Sequence, residues 1–209
     1  LDKHMTDVAT PPLLRRLDDE ARAQLFTDAR TANSFTGQPV TDAELTEIYD
    51  LSKWAPTAAN FQPMRVTYVN SAEGRARLVS HMSEGNQAKT LAAPAVAVLS
   101  YDIRFHEHIP TVVPFRAALV PVFEADEAMR AGAASFNAAL QAGYFVLAVR
   151  ALGLAAGPMG GFDKDALDAD FFPDGRFRSV LVVNIGHPAE DAYRDRLPRL
   201  DSAEVVHWA

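Results

Sequence analysis

The sequence predicts an α+β domain, a small and mainly antiparallel sheet covered by helices, with one long buried helix at its centre. Three features lead there. Helical patterns precede and interleave with only three or four strand-like runs. The runs at 94–101 and 177–187 carry almost no charge, as covered strands do. A segment of about 127–152 is helical in pattern and apolar on every side, which demands covering all round, by its own chain or by a second subunit.

Taken in order, "PPLLRRLDDEARAQLFTDAR" (11–30) opens on two prolines and sets Leu14, Leu17, Ala21, Leu25 and Ala29 at helical spacing. "TDAELTEIYDLSKW" (41–54) begins with a capping box, Thr41 and Glu44, whose reciprocal bonds satisfy the first orphan amides. Leu45, Ile48, Tyr49 and Ser52 follow one face until Pro56 ends the helix. "MRVTYVN" (64–70) alternates and is β-branched, so it reads as a strand. Ser71 caps a further helix, and 84–93 forms another short one. "PAVAVLSY" (94–101) is a buried strand entered through proline. Residues 102–126, broken by Pro110, Pro114 and Pro121, read as an irregular excursion. The long helix stops at Gly153, a left-handed terminator. Asp163 caps a short helix at 164–172, the strand at 177–187 is central, and the chain leaves through a basic tail, "YRDRLPRL".

All of 13–209 reads as one domain. Residues 1–12 are expected to be a flexible lead, with 1–4 a cloning remnant ahead of a natural start at Met5. An apolar content of 48% indicates a globular chain, and a formal charge of −7 offers no basic face for nucleic acid. With no cysteine, disulfides, thiolate metal sites and thiol nucleophiles are excluded. The uncharged stretch 131–149 has the length of a membrane span, but Asn137 and Gln141 within it, and its Ala/Gly dominance, indicate a buried helix of a soluble, cytoplasmic protein.

Five stretches could carry chemistry. In "RTANSF" (30–35), Arg30 at a helix end does no more, by itself, than complement the dipole. "WAPTAANFQP" (54–63) holds Asn60 and Gln62, whose carboxamides suit either turn capping or a ring edge with alternating N–H and C=O groups. In "EGNQAK" (84–89), Asn86 and Lys89 project from one helical face. Such a lysine is either solvated or placed to stabilise negative charge on an electron-accepting ring. Arg194, Arg196 and Arg199 repel one another unless they are solvated or serve an anion. "GPMGGFD" (157–163) is either a plain loop between helices or a bed of bare backbone, at Gly160 and Gly161, for a flat ligand. His106-Glu107-His108 lacks a third metal ligand, and no Ser-His-Asp arrangement stands out.

Together and in this order, the five stretches resemble the flavin-dependent nitroreductase family across roughly residues 20–200. "KWAPTAANFQPMR", "GNQAKTLAAP" and "ALGLAAGPMGGFD" look most similar to the branch that contains malonic semialdehyde reductase. The resemblance implies an intertwined homodimer with FMN at the subunit interface, and NADH or NADPH as co-substrate. It implies that Arg30, Arg196 and Arg199 hold the FMN phosphate, that Asn86 and Lys89 face the pyrimidine edge, and that Asn60 and Gln62 reach FMN from the other subunit. Pro158, Met159, Gly160 and Gly161 would line the ring, with an amide there donating to flavin N5. One departure stands out. The family pattern Arg-x-Ser-x-Arg/Lys is replaced by Arg30-Thr31-Ala32-Asn33-Ser34, so the second cation is missing. Either Asn33 replaces it as a neutral donor beside Thr31, or the flavin is held less tightly.

The activity so implied is hydride transfer from a nicotinamide, by way of flavin N5, to a small electrophile such as malonic semialdehyde. Arg65, Arg104 and Arg116 are candidates for gripping the substrate carboxylate. The alternatives are a broad nitroaromatic or quinone reductase and, in another class, a non-catalytic flavin-binding protein.

Overall fold

The computed structural model describes residues 15–209; the expected flexible lead at 1–12, and Leu14, lie outside them. Four strands, β1 (Met64–Tyr68), β2 (Ala95–Asp102), β3 (Ala155–Met159) and β4 (Phe177–Gly186), form one antiparallel sheet in the order β1-β2-β4-β3. Side chains of β2 alternate across it. Ala95, Ala97 and Leu99 face one core, while Val96 and Val98 face another.

On the first face lie α2 (Asp42–Ser52) and α7 (Glu127–Ala151), contributing Leu45, Ile48, Ala138 and Phe145. On the second, α3 (Ala72–Val79) and α8 (Lys164–Phe171) contribute Leu78 and Leu167, with α4 (Glu84–Ala92) alongside. Helices on both faces explain why β2 and β4 carry almost no charge. The expected caps are in place: Thr41 with Glu44, Ser71, and Asp163 each accept the bonds that start a helix. Gly153 leaves α7 at φ 75°.

Three expectations need correction. The first helix starts only at Asp19, where Asp18 accepts from the Ala21 amide, and α1 (Asp19–Arg22) runs on into a π-turn, Ala23–Thr27. The acidic run Asp18-Asp19-Glu20 belongs at the positive end of a helix dipole, so it sets the start. "GPMGGFD" is not all loop, because Gly157–Met159 complete β3, paired only with β4. The excursion is not irregular either. Two 3₁₀ turns alternate with α5 (Ile109–Val112) and α6 (Leu119–Ala125), with Pro110 and Pro114 at first-turn positions. These pack around Phe61, Phe105 and Phe123, whose ring centroids are 5.2 Å apart pairwise.

Helix α7 is long and apolar enough to cross a membrane by length and composition, yet 44% of that apolar window is buried in the fold. Its inner polar residues are used. Asn137 Oδ1 accepts from the Ala58 amide at 2.6 Å, and Gln141 Oε1 accepts from the Met64 amide at 3.0 Å. Its outer face leaves Phe136, Leu140 and Tyr144 exposed. The last helix, α9 (Ser202–Val205), lies in an exposed tail.

Candidate functional site

The segment after the π-turn runs beside the free edge of β3. The Ala32 amide donates to Ala156 at 3.0 Å, that of Asn33 to Ala192 at 2.9 Å, and that of Thr36 to His187 at 2.8 Å. Gly157 makes this approach feasible, since a Cβ there would stand 2.7 Å from the Ala32 carbonyl oxygen. Arg30 is thereby delivered to the tail. Its guanidinium donates to the Arg194 carbonyl at 3.0 Å and lies 5.4 Å from the Tyr193 ring centroid, while Arg196 donates to the Ala29 carbonyl at 3.1 Å.

Arg30, Arg194, Arg196 and Arg199 line one cavity of about 280 Å³, with Thr31 and Asn33 in its wall. None of these arginines forms an ion pair among the described residues. A fifth, Arg150, lines the same cavity. Sequence reasoning missed it, because an arginine in a helix's last turn reads as a dipole partner.

Next along the chain is the glycine bed. Gly161 turns its carbonyl inward, accepting from the Ser83 amide at 3.0 Å and from Asn86 Nδ2 at 2.9 Å. A Cβ on Gly161 would sit 2.7 Å from that nitrogen, whereas one on Gly160 would meet nothing within 4 Å. Neither glycine's amide donates to another carbonyl among the described residues, so both remain available to a ligand. Pro158 is half-buried, but Met159 turns its side chain into the core beneath, which removes that side chain from the ring-lining set. Burial, and secondarily the positive charge of Arg194, push the Lys89 ammonium below its ordinary pKa of 10.5.

Asn60 and Gln62 lie elsewhere, on the loop that enters β1 at the opposite edge of the sheet. Three strand spacings, about 14 Å, separate the two edges. The loop is strained, with positive φ at Ala59 (45°), Asn60 (55°) and Gln62 (47°). Asn137 and Gln141 pin its two ends, Gln62 donates to Asn60 at 2.9 Å, and Asn60 donates to the Val112 carbonyl at 2.9 Å. Asn137 and Gln141 also escaped the sequence-based site list. Two carboxamides one helical turn apart in an otherwise apolar run were the available signal.

Of the three candidate carboxylate-binding cations, two are already committed. Arg65 and Arg176 both bond buried Asp102 at 2.9 Å. Burial alone raises the Asp102 pKa, but Arg176, the Arg104 amide and Arg65 together hold it below 3.8. Arg104 is paired with Glu107. Arg116 forms no ion pair among the described residues. His106 bonds Glu124 at 2.6 Å and His108 lies 3.9 Å from Asp102, so the two histidines serve different partners.

A bed of glycine backbone just past the end of β3, and a pocket of unpaired guanidiniums whose Arg30 segment runs along that strand, at the edge of an antiparallel sheet packed on one long helix, define an α+β domain suited to a planar ligand with an anionic tail. The chain belongs to the Nitroreductase family, whose model matches residues 27–187. A Streptomyces coelicolor protein provisionally named NADH dehydrogenase/NAD(P)H nitroreductase is 58% identical over 196 residues, covering 94% of this chain and 97% of that one. A Streptomyces griseus protein of the same provisional name is 50% identical over 190 residues, covering 91% and 96%. Among solved structures, a Bacillus subtilis protein provisionally described as a nitroreductase superposes with a TM-score of 0.80 at 24% identity, covering 90% of this chain and 98% of that one. An Exiguobacterium sibiricum protein, likewise provisionally described as a nitroreductase and crystallised in complex with FMN, gives 0.77 at 20% identity, covering 89% and 96%.

Proposed function

We propose that the chain is a cytoplasmic FMN-dependent NAD(P)H oxidoreductase that reduces a small electrophile. The observation that carries this is that one strand, β3, links the two parts of the site: the segment bearing Arg30 of the cavity lined by Arg30, Arg194, Arg196 and Arg199 bonds to Ala156 within it, and the bare backbone of Gly160 and Gly161 follows its end. The donor set fits FMN: guanidiniums without carboxylate partners match a phosphate, and free amides over a bare glycine match a flat ring with acceptor nitrogens. Bound flavin supplies two-electron chemistry, taking hydride from a nicotinamide and handing it to the substrate.

The protein's part is placement and charge. Arg30, Arg196 and Arg199 hold the phosphate, with Thr31 and Asn33 as neutral neighbours. Asn86 spends its N–H on Gly161 and keeps Oδ1 to accept from the ring edge. Lys89 offsets negative charge on the pyrimidine side. Pro158, the Met159 backbone, Gly160 and Gly161 form the floor, where an amide donates to N5.

Asn60 and Gln62 complete the site from a second copy. Support comes from their place at the far sheet edge and from the apolar face of Phe136, Leu140 and Tyr144 left uncovered on α7. The strained loop fits this role, since strain is kept where a fixed geometry is used.

For the electrophile we propose a short semialdehyde acid such as malonic semialdehyde, on the likeness of "KWAPTAANFQPMR" and "ALGLAAGPMGGFD" to that branch. Arg116 is the remaining cation for its carboxylate. The provisional names of the relatives favour a second reading, a broad nitroaromatic reductase. Steady-state kinetics with each electrophile separate them: the first requires NAD(P)H oxidation driven by the semialdehyde and not by a nitroaromatic, and the second requires the reverse. Both require parallel-line, alternating-substrate patterns; intersecting lines contradict the scheme.

A further inference from the structure

We infer that Arg150, at the carboxyl end of α7, is a direct phosphate-gripping residue, supplying the cation that the Arg30–Ser34 segment lacks. The inference rests on the FMN reading above. Arg150 lines both the arginine pocket and a neighbouring cavity of about 310 Å³ that reaches Arg30, Tyr193 and Gly153. It therefore stands in the partition between the two, next to Arg30.

Two observations separate this role from that of a helix-end counter-charge. First, the end of α7 is already satisfied without the guanidinium. The Leu152 amide bonds Ala148, the Gly153 amide bonds the Arg150 carbonyl, and Gln24 Nε2 donates to that same carbonyl at 2.6 Å. Second, the guanidinium itself is under-used. Its contact is a long bond of 3.4 Å to the Leu25 carbonyl, and it has no ion pair among the described residues. Asp28 and Asp195 line the cavities without pairing to it.

Burial pushes the Arg150 pKa down, with Tyr193 as a smaller opposing influence. A half-buried cation among four others is costly until an anion joins them, and a phosphate monoester carries the matching charge and oxygens. Asn33, where a cation is expected, lines the same cavity, so charge lost from one wall is restored from another.

The test uses the purified full chain and fluorescence titration with FMN and with riboflavin, which has the same ring and no phosphate. Arg150→Met should weaken FMN binding about tenfold and leave riboflavin binding unchanged, with Arg150→Lys retaining most of the FMN affinity. Circular dichroism and melting temperature should match the parent. Exposed Arg178→Met, which removes the same net charge elsewhere, should leave FMN affinity unchanged. Equal losses for FMN and riboflavin, an unchanged FMN affinity in Arg150→Met, or an equal loss in Arg178→Met would each overturn the assignment. A parent protein that binds riboflavin as tightly as FMN overturns it too. One that binds neither flavin removes the FMN reading itself, a distinguishable result.

Discussion

Asn86 donates to the Gly161 carbonyl at 2.9 Å, and a side chain on Gly161 would collide with that same amide nitrogen at 2.7 Å. One residue therefore shapes the backbone of the glycine bed and needs it bare. Because the colliding atom is the end of a side chain, the fold can yield locally. Gly161→Val should lower FMN affinity about tenfold or more by breaking the Asn86 bond and filling the bed, with circular dichroism unchanged. Unaltered FMN affinity would remove Gly161 from the site.

Gly157→Ala should behave differently. Its Cβ would meet backbone, the Ala32 carbonyl at 2.7 Å, which has no flexible end to move. The 30–36 segment must lift from β3 or strain it, at a cost of about 1–3 kcal/mol. Urea denaturation should show that loss together with weaker FMN binding, since Arg30 moves with the segment. A variant as stable as the parent would show that the close approach is not required.

Asn137→Leu tests the support of the strained loop. It leaves the Ala58 amide without its 2.6 Å acceptor, at about 1–2 kcal/mol, or a fall in melting temperature of about 2–8 °C. Proteolysis should also become faster within 57–63, where Ala59, Asn60 and Gln62 hold positive φ. Equal loop protection in variant and parent would mean that the strain is held by other contacts.

Acid stability should depend on Asp170. Hydrogen bonds from Arg77 and then His81 hold its carboxyl at about 2, below the ordinary 3.8. A lowered folded-state pKa contributes stability that is present above 3.8 and lost as pH falls through 2. In Asp170→Asn, the melting temperature should drop less steeply across that window than in the parent. Identical acid limbs would contradict this linkage between α3 and α8.

Much of the frame was legible because it follows local rules. The Thr41–Glu44 capping box, the Ser71 and Asp163 caps, the Gly153 terminator and the uncharged β2 and β4 each follow from local chemistry. Strand β3 was not legible, because "AAGPM" has no β-branched residue and holds Gly and Pro. It is a strand because β4 pairs with it, and an edge position tolerates the proline. Positive φ at Ala59 is equally invisible, since alanine gives no sign of it; tertiary pins from α7 impose it. Arg30, Arg196 and Arg199 were expected together, and they share one cavity. Arg150 was hidden by distance in sequence. Only folding brings the end of α7 between the π-turn and the tail.

The most direct test of the account is an anaerobic titration of FMN-loaded protein with NADH and with NADPH, following the oxidised-flavin absorbance. The account requires the protein to retain FMN through gel filtration as a dimer and at least one nicotinamide to bleach it completely, one equivalent per flavin. Protein that fails to take up FMN, or that retains a flavin neither nicotinamide can reduce, would contradict it.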